Sequence, residues 1–113
     1  MVIYNEKLDL IFGALADSTR RGMLAQLSKG ETNISALARP YNISQPAISK
    51  HLRVLEKAGL IQRTKQGRDH IIRVNPEPAE QARDWIAYYA QFWNAQFNAV
   101  EAYLEENKQD EGE

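Results

Sequence analysis

Residues 43–61, Ile-Ser-Gln-Pro-Ala-Ile-Ser-Lys-His-Leu-Arg-Val-Leu-Glu-Lys-Ala-Gly-Leu-Ile, contain a helix with its own start, its own stop and a single face that can be buried. Ser44 offers an acceptor to the first free backbone N–H groups, Pro46 has its φ already set for a first turn, and Gly59 ends the run. The spacing predicts a helix from about Gln45 to about Ala58. Ile48, Leu52, Leu55 and Ala58 recur at steps of three and four and must face a core. Gln45, Ala47, Ser49, Lys50, His51 and Arg53 take up the rest of the circumference, so donors, acceptors and positive charge crowd its N-terminal half.

That outer face fits one partner well. A DNA major groove about 12 Å wide admits one α-helix, and Gln, Ser, Lys and Arg bond base edges or phosphates there. The preceding segment supplies a supporting helix: Asn33 or Ser35 caps a short run with Ile34, Leu37 and Ala38, Pro40 breaks it, and Tyr41, Asn42 and Ile43 turn the chain into Ser44. Residues 33–58 thus read as a helix-turn-helix. Residues 60–74 add a wing. Leu60–Lys65 and Asp69–Val74 are β-branched runs flanking Gln66-Gly67-Arg68, the mark of a hairpin turn. Lys65 and Arg68 at its tip suit phosphate or minor-groove contact.

The net charge of −1 hides a strong asymmetry. Residues 18–75 hold eleven Lys and Arg against Glu31, Glu56 and Asp69, a charge of +8, and the rest of the chain carries −9. A basic centre attracts phosphate, whereas the acidic C-terminal region stays away from it.

At 113 residues the chain reads as one domain that shares a core with a second copy. No run of eighteen apolar residues exists and the start lacks an export signal, so a cytoplasmic protein without membrane partners is expected. Zero cysteine removes disulfides and thiolate metal sites. Leu8, Ile11, Phe12 and Leu15 stripe a first helix, and Ala16-Asp17-Ser18-Thr19 stops it and caps a second, lined by Met23, Leu24 and Leu27. Gly22 inside that second helix either permits a close helix crossing or is merely tolerated. Arg20 and Arg21 lie in its first turn, where the helix dipole disfavours cations; either a DNA phosphate compensates them or they pair with Asp17 or Asp9.

Pro76 and Pro78 set up a last helix from about Ala79 to about Glu106, roughly 40 Å at 1.5 Å per residue. Its large apolar residues, among them Trp85, Ile86, Tyr89, Phe92, Trp93, Val100 and Leu104, form a stripe too big to leave in water. The segments 1–16 and 77–106 are therefore expected to build a homodimer through Leu8, Phe12, Trp85, Tyr89, Phe92, Trp93, Val100 and Leu104, its recognition helices roughly 34 Å apart. Residues 107–113 read as a frayed acidic tail. Two other uses of the stripe are a pocket for an unidentified small-molecule effector and a docking face for another protein. The only histidines, His51 and His70, have no nucleophile or ligand cluster around them in sequence, so neither an enzyme nor a metal site is expected, and no cofactor. His51 is expected to contact DNA, and His70 to be structural or phosphate-facing.

Leu15-Ala16-Asp17-Ser18-Thr19-Arg20-Arg21, Ile34-Ser35-Ala36-Leu37-Ala38 and Ser44–Leu55 followed by Ala58-Gly59-Leu60-Ile61 resemble the ArsR/SmtB-type winged-helix repressors, and the likeness runs from Leu8 to Leu104. It implies a mainly α winged helix-turn-helix with a small β-hairpin, and a dimeric bacterial transcriptional repressor on a palindromic operator. Ser44, Gln45, Ala47, Ser49, Lys50, His51 and Arg53 would enter the major groove, with Lys65, Arg68 and Arg20 beside it. The family's metal sensors carry cysteines before the recognition helix or Asp and His ligands on the last helix. This chain has neither, and Asp84 is followed by Trp85 and Ile86, so the resemblance is to the branch without metal ligands.

Overall fold

The structure is a computed structural model describing the backbone of residues 5–111 and the side chains of residues 5–107. In chain order the elements are α1 (Glu6–Leu15), α2 (Ser18–Leu27), β1 (Thr32–Asn33), α3 (Ile34–Ala38), α4 (Gln45–Lys57), β2 (Ile61–Gln66), β3 (Asp69–Val74) and α5 (Pro76–Glu111). Each early helix opens on a polar side chain: Asn5 accepts from Leu8 N–H, Asp17 from Arg20 N–H and Asn33 from Ala36 N–H. Such caps satisfy donors that a helix cannot satisfy itself.

The chain forms two compact units, Met1–Ala82 and Arg83–Glu113. Ile11 and Ala14 of α1, Met23 and Leu27 of α2, Leu37 of α3, Ile48, Leu52 and Leu55 of α4 and Ile72 of β3 make one buried cluster in the first unit. It is closed by Ala58, Leu60, Ile61 and Ala82. Burying a side chain such as Leu is worth about 1.5–3 kcal/mol, so this shared cluster of four helices and β3 decides where α4 points. The second unit is the remainder of α5, which has no core of its own among the described residues. The single domain expected from length is therefore a packed unit continued by a helix.

The sheet has three strands in the order β1-β3-β2, all antiparallel. β1, with Thr32 opposite Ile72 and Asn33 opposite Ile71, was not anticipated, because a two-residue strand carries no alternation to read. The hairpin itself lies where expected, with Gln66 opposite Asp69. Gly67 has a φ of +62°, and among the described residues no non-glycine has a positive φ, the pattern of a two-residue turn with glycine at its first central position. α5 starts at Pro76 rather than near Ala79, since a proline in a first turn lacks only an N–H that would go unpaired there. It also runs to Glu111, so most of the expected frayed tail is helical backbone, and residues 112 and 113 lie outside the described ones.

Gly22 is explained by neither alternative offered above. A Cβ there would lie 2.4 Å from the Tyr41 hydroxyl, so the glycine makes room for a ring in the turn before α4.

Candidate nucleic-acid interface

The recognition helix α4 is built as its sequence dictates. Ser44 is extended, with φ −68° and ψ 157°, and its Oγ accepts from Ala47 N–H at 3.3 Å. Ile48, Leu52 and Leu55 are buried, and rotation around the helix then carries Gln45, Ser49, Lys50 and Arg53 outward, where all four are exposed. Ala47 is half-buried beside them. Lys50 and Arg53 have no ion-pair or hydrogen-bond partner among the described residues. They are unneutralised cations on the outer face.

Arg20 and His51 do not join that exposed set. The Arg20 guanidinium donates through Nε to Ala14 O at 2.7 Å and through Nη2 to Gly13 O at 3.0 Å, and its Nη1 lies 3.2 Å from His51 Nδ1. Arg21 Nη1 donates to Leu15 O at 2.7 Å. The last carbonyls of α1 have no partners within their own helix and form its negative end. Both arginines answer that end, which compensates their unfavourable place in the first turn of α2. No ion pair of either arginine with Asp9 is found among the described residues. The signal lay in the link of Ala16 and Asp17, too short to keep the start of α2 away from the end of α1. Asp17 Oδ2 is 3.9 Å from His51 Nδ1, and its carboxyl is held below the ordinary value of 3.8 chiefly by the Arg20 N–H bond.

At its other end α4 closes in a Schellman motif. Gly59, with φ +76°, donates to Glu56 O at 2.9 Å and Leu60 N–H to Leu55 O at 3.0 Å. Asn75 then binds this exit twice, Nδ2 to Gly59 O at 2.9 Å and N–H to Leu60 O at 2.9 Å. Glu56 of α4 pairs with Arg63 of β2, which joins the wing to the recognition helix. Arg73 Nη2 donates to Thr64 Oγ1 at 3.0 Å across the hairpin. Arg63 and Arg73 are thus engaged within the wing, whereas Lys65 and Arg68 are exposed without partners among the described residues. Asn75, Glu56 and Arg63 position the surface, and sequence reading missed all three because each bonds a residue of a different segment, which no local periodicity announces. His70 is half-buried, with Nδ1 enclosed and unpartnered.

In the second unit, rings four residues apart touch along α5: Trp85 stacks on Tyr89 at 5.5 Å, Tyr89 meets Trp93 at 6.2 Å and Trp93 meets Phe97 at 5.9 Å. Their outer surfaces are open, from 47% for Tyr89 to 61% for Phe97. Leu8 and Phe12 of α1 are instead partly covered by the core of the first unit. Among the described residues no three His, Cys, Asp or Glu side chains stand together as a metal would require, and no helix is long and apolar enough to cross a membrane.

Residues 17–63 match the sequence model of a family described as "Bacterial regulatory protein, arsR family". YuzN of Bacillus subtilis, an uncharacterized HTH-type transcriptional regulator, is 38% identical over 90 residues, which cover 73% of this chain and 98% of that protein. The chain belongs to the arsR family. The transcriptional repressor SdpR of Bacillus subtilis is 32% identical over 67% of this chain and 84% of its own length. The crystal structure of an ArsR family transcriptional regulator, 39% identical, matches 83% of this chain and 97% of that one with a TM-score of 0.77. As an arsR-family protein the chain is a transcriptional regulator with a DNA-binding winged helix-turn-helix, and not an enzyme.

Proposed function

We propose that the protein is a homodimeric repressor that occupies a palindromic operator and does not respond to metal. The observation carrying this reading is the division of the basic residues: Arg20, Arg21 and Arg63 bond within the protein, while Lys50, Arg53, Lys65 and Arg68 stand free on α4 and the wing. Gln45, Ala47 and Ser49 meet base edges, Ser44 Oγ accepts from Ala47 N–H to set the helix start while its hydroxyl donates to a DNA phosphate, and Lys50 and Arg53 bind bases or phosphates. Lys65 and Arg68 grip the flanking backbone.

Dimerisation is supported by α5. At about 100° per residue, Trp85, Ile86, Tyr88, Tyr89, Phe92, Trp93, Phe97, Val100, Tyr103 and Leu104 fall within about half of the helix circumference. That is wider than the seam of a two-helix coiled coil, so it suits burial against more than one helix of a twin, with Leu8 and Phe12 contributing what the core leaves open. Independence from metal is supported by the absence of cysteine from the whole sequence. Selection of bound sites from random duplex DNA tests the proposal. A two-fold symmetric consensus with half-sites about one helical turn apart is expected. An asymmetric consensus overturns the palindrome, and a stable monomer in sedimentation turns the aromatic face into a docking site for another protein.

The same face supports one further use. Tyr89, Phe92, Trp93 and Gln96 line a groove along α5 that suits an apolar effector. Tryptophan quenching coupled to loss of DNA affinity is its test.

A further inference from the structure

We infer that Arg20 is a positioning residue for DNA binding: it holds His51 as the tautomer protonated on Nε2, so that the recognition helix presents an imidazole N–H to a DNA backbone phosphate. This rests on the DNA-binding reading above and adds to it the chemical state of one contact.

A guanidinium has five donors and no acceptor. The Nη1 group of Arg20, 3.2 Å from His51 Nδ1, bonds it only if Nδ1 carries a lone pair. The ring proton therefore resides on Nε2. The arginine has little freedom to choose otherwise, because Nε and Nη2 are fixed on Ala14 O and Gly13 O and the backbone N–H of the same residue donates to Asp17 Oδ2 at 3.1 Å. Asp17 favours the opposite tautomer, but at 3.9 Å from Nδ1 it lies beyond hydrogen-bond reach.

The other end of the ring is free. Nε2 makes no hydrogen bond among the described residues and is not one of the enclosed unpartnered atoms, so the 19% of the side chain that remains exposed includes it. The imidazole is half-buried against Arg20 at the start of α2, whereas the neighbouring Ser49 and Lys50 are exposed. A short, fixed donor of this kind meets the wall of the groove, where the phosphates are, rather than the base edges on its floor. Lys50 supplies charge and His51 supplies a directed N–H.

Two substitutions separate this from a purely structural role. Asn keeps an acceptor where Nδ1 stands and loses the distal donor; Gln keeps a distal amide N–H and loses the acceptor. His51→Asn is expected to melt at the higher temperature of the two, yet to bind a mixed-sequence duplex at low salt about tenfold more weakly than wild type. His51→Gln is expected to melt lower and to bind within about threefold of wild type. A residue that only packs would rank both properties in the same order. Independently, long-range ¹H–¹⁵N correlation on the free wild-type protein is expected to show a pyridine-type Nδ1 and a protonated Nε2, reverting toward a tautomer mixture in Arg20→Gln. A proton on Nδ1 in the free wild type, or equal duplex affinity for the two His51 variants, overturns the inference. Absence of wild-type binding to any duplex overturns the functional reading instead, and the free-protein spectrum still decides the tautomer.

Discussion

Gly22 and Tyr41 show how a single atom decides the sign of a substitution. In a helix interior, Gly→Ala ordinarily gains about 1 kcal/mol in propensity. Here the new methyl would meet a hydroxyl at 2.4 Å, and overpacking costs about 1–3 kcal/mol, so Gly22→Ala is expected to be destabilising. Removing the hydroxyl leaves the ring carbon that bore it at 3.4 Å, so the same Gly22→Ala change made in a Tyr41→Phe background is expected to be neutral or stabilising. Denaturant unfolding of the four proteins of that cycle measures the reversal; additive effects would contradict it. Asp17 makes a second prediction. Its carboxyl is lowered in the fold, so its contribution is present above the ordinary value of 3.8 and is lost as the pH falls through the folded value. Asn caps a helix equally well and does not titrate. Asp17→Asn is therefore expected to resist acid better than wild type, relative to its own stability near neutrality, in thermal melts on either side of that value.

The elements were legible in the sequence wherever the determinants are local. Ser44, Pro46 and Gly59 set α4 to within one residue of its observed Gln45–Lys57, and Ile48, Leu52, Leu55 and Ala58 are all buried as their spacing requires. The wing was legible from Gly67 and its β-branched flanks. What escaped depends on contacts between elements rather than within one: β1 exists because Thr32 and Asn33 find β3, and the Arg20 guanidinium belongs to α1 because α2 starts beside its end. The connection from α4 to the wing is of the same kind. Glu56→Gln should cost under about 1 kcal/mol in denaturant unfolding, since both side chains are partly exposed. Arg68→Ala at the hairpin turn should leave stability unchanged and lower the slope of log affinity against log salt by about one in binding titrations. An unchanged slope would remove Arg68 from the phosphate contacts.

For the whole molecule, two features that look like liabilities in an isolated chain become consistent once a twin and a duplex are added. In the proposed dimer, residues 18–75 supply the +8 that attracts DNA while the rest of the chain carries −9, and the proposed place for a second copy is the aromatic face of α5. Phe92→Glu and Trp93→Glu, both at positions about half exposed, are expected to leave the first unit folded and to convert the dimer to monomer in sedimentation, with weakened operator binding as the consequence. Dimers that persist in both variants would place the interface elsewhere.

In the proposed complex the outer face of α4 enters DNA with Lys50 and Arg53 uncompensated by the protein. Anisotropy titration of a labelled duplex across a salt series measures it directly. Wild type should bind tightly at low salt with a steep salt dependence, and Lys50→Ala and Arg53→Ala should each weaken binding and reduce the slope by about one while leaving melting temperature and oligomeric state unchanged. Wild-type affinity and slope retained in both variants, or no binding to any duplex at low salt, would contradict it.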